Sequence, residues 1–492
     1  MNPLKKLASQ TAIYGLSSVV GRLLNYLLVP LYTRYFLPEE YGVVTELYAY
    51  VAFLVIILTY GLETAFFRFS QIEKNNRVVF STSLISLLTT SVSFILLMFV
   101  FSDNIADTIG YSNNQEYVKW FAIIIGLDAI SSISFAKLRA LNKATRFALI
   151  RLVNIFVNIG LNLFFIIYCP YAIENNLQSI DFVNSVYSSS VGVGYIFIAN
   201  LLASVITLLM LLPEMINSVW VFDKRIWQKM MVYAAPLLIA GLAGMTNETI
   251  DRILLKYLLP ENLNVSREIG LYGAFYKLSI IMILFIQTFR FAAEPFYFAQ
   301  EREKNSKKIY ADVMKYFVIV LSIIFLIVTT FYDFFIKFLG SNYHDDRGFI
   351  VVSILLLANF FLGIYYNLSI WFKLTEKTIY GAYIAIFGAL ITLAGNYILI
   401  PIIGFIGCAI ATLACYFLMT VVSLYLCNSH YPIPYNYKRL STYFLFMICI
   451  FFILYYTNFA LIFNLLFIIS YVAFVYYLER PKIKETKTPK LF

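Results

Sequence analysis

Residues Pro236–Pro260 read PLLIAGLAGMTNETIDRILLKYLLP. About 20 apolar residues suffice to cross a bilayer, so the stretch is long enough to span one. Its second half nevertheless carries Asn247, Glu248, Asp251 and Arg252, with Lys256 one turn further on. At helical spacing Glu248, Arg252 and Lys256 fall four apart, as do Asn247 and Asp251, so the polar groups share one broad face. An ionised side chain in hydrocarbon costs several kcal/mol, and such a face turns toward a partner helix or a watery cavity. The residues alone leave two readings: a salt-bridged stripe that pins the helix to its neighbours, or the wall of a transport cavity.

The rest of the chain has the same character. Of its 492 residues 61% are hydrophobic and only 13% charged, with a mean hydropathy of +0.79. Soluble domains carry about 25% charged residues, so this is an all-α polytopic membrane protein. The net charge of +10 belongs to membrane topology. No basic run is interleaved with base-reading side chains, and nucleic acid is not an expected partner. Cys169, Cys408, Cys415, Cys427 and Cys449 lie within or beside apolar segments without a C-x-x-C spacing. They read as small hydrophobes in helix packing rather than as disulfides or metal ligands. His344 and His430 are too few for a metal cluster. Nucleophile motifs, phosphate-cradling glycine loops and H-E-x-x-H are absent from the sequence. The apolar stretch after Met1–Lys6 runs on to Phe36, too long for a signal-peptide core of about 7–15 residues, and reads as a retained first helix.

Apolar runs broken by short polar loops predict fourteen spans. The first is Leu7–Phe36, the second Tyr41–Phe69, the seventh Met230–Leu259 and the eighth Gly270–Phe298. The last two are Leu440–Tyr456 and Phe459–Tyr477, divided by the thin Thr457-Asn458 loop. With the N-terminus in the cytoplasm, 26 of the 37 lysines and arginines fall in inside loops and ends, 6 outside and 5 within spans. Over short loops that is a strong positive-inside bias, and an even number of spans keeps both termini cytoplasmic. The largest outer loops, Ser102–Glu116 and Tyr171–Ser190, are too small for a folded domain.

An internal repeat accompanies this pattern. Tyr35-Phe36-Leu37-Pro38-Glu39 matches Tyr257-Leu258-Leu259-Pro260-Glu261, and Glu40-Tyr41-Gly42 then matches Glu268-Ile269-Gly270 after an insertion. An offset of six spans preserves orientation, so the repeat is parallel, about the membrane normal. The expected organisation is a six-helix lobe in residues 1–228, a second in 229–437, and helices 13–14 with a basic cytoplasmic tail in 438–492.

The remaining membrane charges and amides are the candidate site. The first span holds Ser18, Arg22 and Asn25 at helical spacing. Arg22 lies mid-span, where it cannot easily snorkel, and needs an anion. That anion is either an acid of a neighbouring helix (Glu46, Glu63 or Asp128) or a phosphate, which suits the bidentate guanidinium fork. The fifth span presents Arg151, Asn154, Asn158 and Asn162 as a polar stripe that serves packing or sugar hydroxyls equally well. Arg151 also reads as a surface charge near the cytoplasmic end. The eighth carries Lys277, then Gln287, Arg290 and Glu294, the last two four apart and expected to pair. Glu63, Asp128, Glu248 and Asp251 are the acids available for ion coupling or gating.

Taken in order, these residues resemble the Wzx-type oligosaccharide flippases of the multidrug/oligosaccharidyl-lipid/polysaccharide (MOP) exporter superfamily. The resemblance covers essentially the whole chain. It rests on Gly21-Arg22, on Tyr32 through Gly42, and on Gly61-Leu62-Glu63 leading to Arg68-Phe69. It rests also on Asn247 with Asp251-Arg252, on Gly270-Leu271-Tyr272 with Tyr276-Lys277, and on Glu294-Pro295-Phe296. It implies two six-helix bundles, as in the multidrug (MATE) branch, around a central cavity with the final pair added outside. It implies a transporter and not an enzyme, resident in the bacterial inner membrane. The implied activity is translocation of undecaprenyl-pyrophosphate-linked oligosaccharide to the periplasmic leaflet by alternating access, for O-antigen (lipopolysaccharide), capsule or exopolysaccharide synthesis. Polysaccharide polymerases are implied partners. Cavity arginines of related flippases hold the pyrophosphate, a role that falls here on Arg22 and, more weakly, on Arg252 and Lys277. No cofactor is implied; coupling to H+ or Na+ is typical of the superfamily, the ion being undetermined for this chain. The competing expectations are a cation-coupled antiporter of small molecules and a peptidoglycan-precursor flippase.

Overall fold

The computed structural model describes residues 20–73, 75–301, 303, 305–457 and 461–486. Among these residues the regular structure is helical, with no strand. Twelve of the described helices are long and apolar enough to cross a membrane. Of the fourteen expected spans, the first lies outside the described residues as far as residue 19, Ser18 included; residues 20–26 and Leu28–Tyr35 are helical. The last falls on the Leu461–Thr486 helix. The expected outer loops carry short helices of their own, Ser102–Thr108 in one and Cys169–Glu174 and Ile180–Val186 in the other.

The chain packs as two units, Met1–Gly273 and Ala274–Phe492. In the first, α1 (Gln115–Ala140) is the central helix, with 72% of its apolar window buried. It packs between α2 (Asn76–Val100) and α3 (Gly194–Ile216). Leu84, Leu87, Ile130, Ile133 and Ala136 form much of that core, together with Met230 and Ala234 from α4 (Lys224–Leu258). The α4 N-terminus is capped by Asp223, whose Oδ1 accepts from the amides of Arg225 (2.8 Å) and Ile226 (3.1 Å), satisfying donors that a helix start leaves open. The second span of the sequence is broken into α5 (Pro38–Thr59) and α6 (Leu62–Ile72). The break sits at Tyr60 and Gly61, both with positive φ, a conformation glycine adopts without steric cost.

In the second unit α7 (Arg347–Leu368) packs against α8 (Phe405–His430) and α9 (Ser306–Thr330). The final pair, α10 (Tyr437–Thr457) and α11 (Leu461–Thr486), docks on α9. A charged knot holds it there. Lys315 on α9 donates to Glu479 on α11 at 2.6 Å, while Arg439 and Tyr443 on α10 reach the other carboxylate oxygen at 2.7 Å each. Between helices that lipid would otherwise solvate, such polar contacts supply the specific attraction that apolar surfaces lack.

Candidate functional site

The polar face of Pro236–Pro260 is divided among different partners. Asp251 and Arg252 are only 3% and 6% exposed. The Arg252 guanidinium donates to Asp251 Oδ1 at 2.9 Å and to the Glu248 carbonyl at 2.5 Å. Tyr272 donates its hydroxyl to Asp251 Oδ2 at 2.5 Å, and its ring lies 5.7 Å from the guanidinium carbon. Buried charges persist when paired and hydrogen-bonded, and these two satisfy each other within the protein. Asn247 is buried on the same helix, whereas Glu248 is exposed. Lys256 reaches Glu46 on α5 at 2.7 Å, donates to the Ile109 carbonyl, and sits 4.4 Å over the Tyr111 ring. Tyr111 closes the group by donating to Glu46 at 2.6 Å. These contacts tie the stripe to Tyr272, Glu46 and the loop around Tyr111. Glu63, another coupling candidate, is half-buried and paired with Arg139, which in turn covers the Phe67 ring.

A different environment surrounds the first span. A Cβ on Gly21 would stand 2.7 Å from Ile155 Cδ1, so this segment touches α12 (Ala144–Leu163) at Ile155. Arg22 and Asn25 on that segment are exposed. The three acids expected as structural partners for Arg22 are engaged elsewhere: Glu46 with Lys256, Glu63 with Arg139, and Asp128 with the Ser204 hydroxyl at 2.9 Å. Arg151 on α12 is also exposed, stacked 4.2 Å over Phe135 and 5.7 Å from Phe147. No ion pair joins it to Asp128 among the described residues. Its aromatic seat makes it more than a free surface charge.

The asparagine stripe divides. Asn154 donates to Thr207 on α3 at 2.9 Å. Asn162 donates to both the carbonyl and the side chain of Asn158, at 2.8 and 3.1 Å. Asn200 donates to Tyr48 at 2.9 Å. Thus Asn200, Ser204 and Thr207 form a polar edge on α3 that the charge-led reading passed over. Their three- and four-residue spacing within an apolar span was the available signal.

In the second unit Lys277 is half-buried. Glu294 lies 2.5 Å from Lys373 and 3.7 Å from Arg290, so the expected i,i+4 pair exists but Lys373 is the nearer cation. Arg290 stacks 3.9 Å over Tyr366. No group of three or more metal-ligating side chains occurs among the described residues. What the first unit offers is two exposed guanidiniums, Arg22 and Arg151, on adjoining helical segments beside side-chain amides. Guanidinium forks suit phosphate and amides suit hydroxyls.

The family described as "Polysaccharide biosynthesis protein" matches residues 7–295, more than half of the chain. No curated protein matches it. Among solved structures it is similar to "Lipid II flippase MurJ, inward closed conformation", at 15% identity and a TM-score of 0.73, over 96% of this chain and 99% of that one. It is also similar to an inward-facing multidrug resistance MATE family transporter of the MOP superfamily, at 14% identity and a TM-score of 0.64, covering 88% and 98%. At such identities the likeness establishes the fold. The chain belongs to the polysaccharide biosynthesis family, and its fold is the one these transporters share.

Proposed function

We propose, from this family membership, that the protein carries undecaprenyl-pyrophosphate-linked oligosaccharide from the cytoplasmic to the periplasmic leaflet of a bacterial inner membrane. The cycle is alternating access, both termini are cytoplasmic, and the product feeds surface-polysaccharide polymerisation. The observation that carries the reading is Arg22: an exposed guanidinium in an apolar span, while of the three acids expected as its partners Glu46 pairs with Lys256, Glu63 with Arg139, and Asp128 accepts from Ser204. A pyrophosphate supplies the missing anion. In this reading Arg22 and Asn25 contact it, and Arg151, Asn154 and Asn158 line the glycan path. Asp128, exposed and hydrogen-bonded by the Ser204 hydroxyl, is the acid best placed to couple an ion to transport. Asn247, Asp251 and Arg252 serve chiefly to hold α4, and Glu63 to hold α6, while Glu248 remains open for gating. The lobes correspond to residues 1–228 and 229–437, with 438–492 appended.

The test is the fate of lipid-linked glycan in a strain lacking the protein. Complete repeat units that accumulate in the cytoplasmic leaflet, with surface polysaccharide lost, support the reading and identify the sugar. Normal translocation refutes it and favours a small-molecule antiporter. Accumulation of peptidoglycan precursor in place of repeat units assigns the other lipid-linked cargo.

A further inference from the structure

Helix α5 and the helix Val265–Gln300 (α13) meet at two glycines. A Cβ on Gly42 would collide with the Ser266 carbonyl oxygen, with the Ser266 carbonyl carbon at 2.8 Å and the Gly270 nitrogen at 3.2 Å. One on Gly270 would collide with the Pro38 carbonyl oxygen, with the Pro38 carbonyl carbon at 2.7 Å and the Gly42 nitrogen at 3.0 Å. The contact is reciprocal. Each glycine faces its counterpart and the carbonyl four residues before that counterpart, so exchanging the two segments leaves the interface unchanged, as at a two-fold axis. Gly42 and Gly270 are also equivalent positions of the sequence repeat. One turn on, a Cβ at Gly273 would stand 2.5 Å from Thr45 Oγ1. Backbones this close gain van der Waals contact and Cα–H···O bonds that any side chain would forfeit.

We infer that the Gly42–Gly270 crossing is the outer seal of the transport path, a latch on the repeat axis that must part for cargo to leave. The inference rests on the flippase reading. The lysine and arginine distribution places both segments at the outer face, and a path between repeat-related lobes runs along their common axis. Glu39 and Arg267, 3.5 Å apart and partly exposed, flank the crossing on the same two segments. Closure here is backbone against backbone, so a single methyl group at either glycine biases the protein toward the parted state.

The experiment uses the full chain with Glu39→Cys and Arg267→Cys in membranes. A membrane-impermeant bis-methanethiosulfonate reagent, applied from outside, bridges the two thiols reversibly, and bridging is scored by loss of maleimide labelling. The expected result is efficient bridging, glycan translocation reduced about tenfold or more, and recovery on adding reductant. Adding Gly42→Ala or Gly270→Ala should lower the bridging yield severalfold. Absence of bridging in well-inserted protein overturns the seal, as does full translocation by the bridged protein. If bridging occurs and the alanines weaken it, while the unbridged parent moves no glycan, the seal stands and the proposed cargo falls.

Discussion

Replacing Glu479 with leucine tests how the last helix pair is held. The Glu479 side chain is 2% exposed and that of Lys315 6%, with 2.6 Å between their charged atoms. Removing the carboxylate leaves the Lys315 ammonium buried with Asp312 as its remaining acid at 3.3 Å, and that side chain is 41% exposed. Breaking a buried pair from one side costs about 3–5 kcal/mol, chiefly the penalty of the stranded charge. Arg439, a third exposed, can turn to water and adds about 0–1 kcal/mol. Glu479→Leu should therefore destabilise the second unit by about 3–5 kcal/mol, and Lys315→Met by a similar amount. The double variant should lose less than the sum, with about 1–3 kcal/mol of coupling, because neither charge is then stranded. The assay is denaturant unfolding of purified protein in detergent, read by proteolytic susceptibility, for the parent and the three variants. Additive losses, or a Glu479→Leu cost under about 1 kcal/mol, would refute the account of the final pair as held by a buried ionic knot.

The same knot predicts a pH response. Burial pushes the Glu479 carboxyl up, but hydrogen bonds from Lys315 and Tyr443 and the charges of Lys315 and Arg439 outweigh it and hold the group below the usual glutamate value. A depressed folded pKa stabilises above the unfolded value, about 4.3, and that stabilisation is lost as pH falls through the folded value. The stability gap between parent and Glu479→Gln should hold through neutral pH and shrink in acid; a gap that widens in acid contradicts it. Arg22→Ala should insert normally yet abolish most translocation, with Arg22→Lys partly active, since a point charge replaces the bidentate fork. Full transport by the alanine variant removes Arg22 from the pyrophosphate site. Asp251→Asn removes the carboxylate from a buried pair with Arg252 and should lower stability by about 3–5 kcal/mol in unfolding assays; unchanged stability with lost transport would return Asp251 to a coupling role.

The Asn247–Lys256 face shows how far spacing alone carries. Four-residue steps correctly placed these groups on a membrane helix that needs partners. They could not say that Arg252 would turn to its own neighbour Asp251, or that Tyr272 from α13 would donate to the same carboxylate. Lys256 finds Glu46, 210 residues away, directly, and the same carboxylate takes a hydrogen bond from a loop tyrosine that no periodicity singles out. For Arg22 the sequence offered three acids of equal standing, and packing assigned each of them elsewhere. The α3 edge of Asn200, Ser204 and Thr207 was legible in principle but carries no charge to draw attention.

By itself, then, the sequence determined that this is a helical membrane protein and roughly where the chain crosses, and it set the expectations for which side its loops favour and for a repeat around Pro38 and Pro260. Those properties are sums of local transfer free energies and loop charges, which each segment carries wherever it packs. Only the tertiary structure decided which charges are consumed in knots, which guanidiniums stay open, and that two repeat-related glycines meet backbone to backbone. Those outcomes depend on how each helix is rotated and which helix lies beside it. The bilayer supplies no hydrophobic drive to set either, so close packing and individual hydrogen bonds between distant segments make the choice.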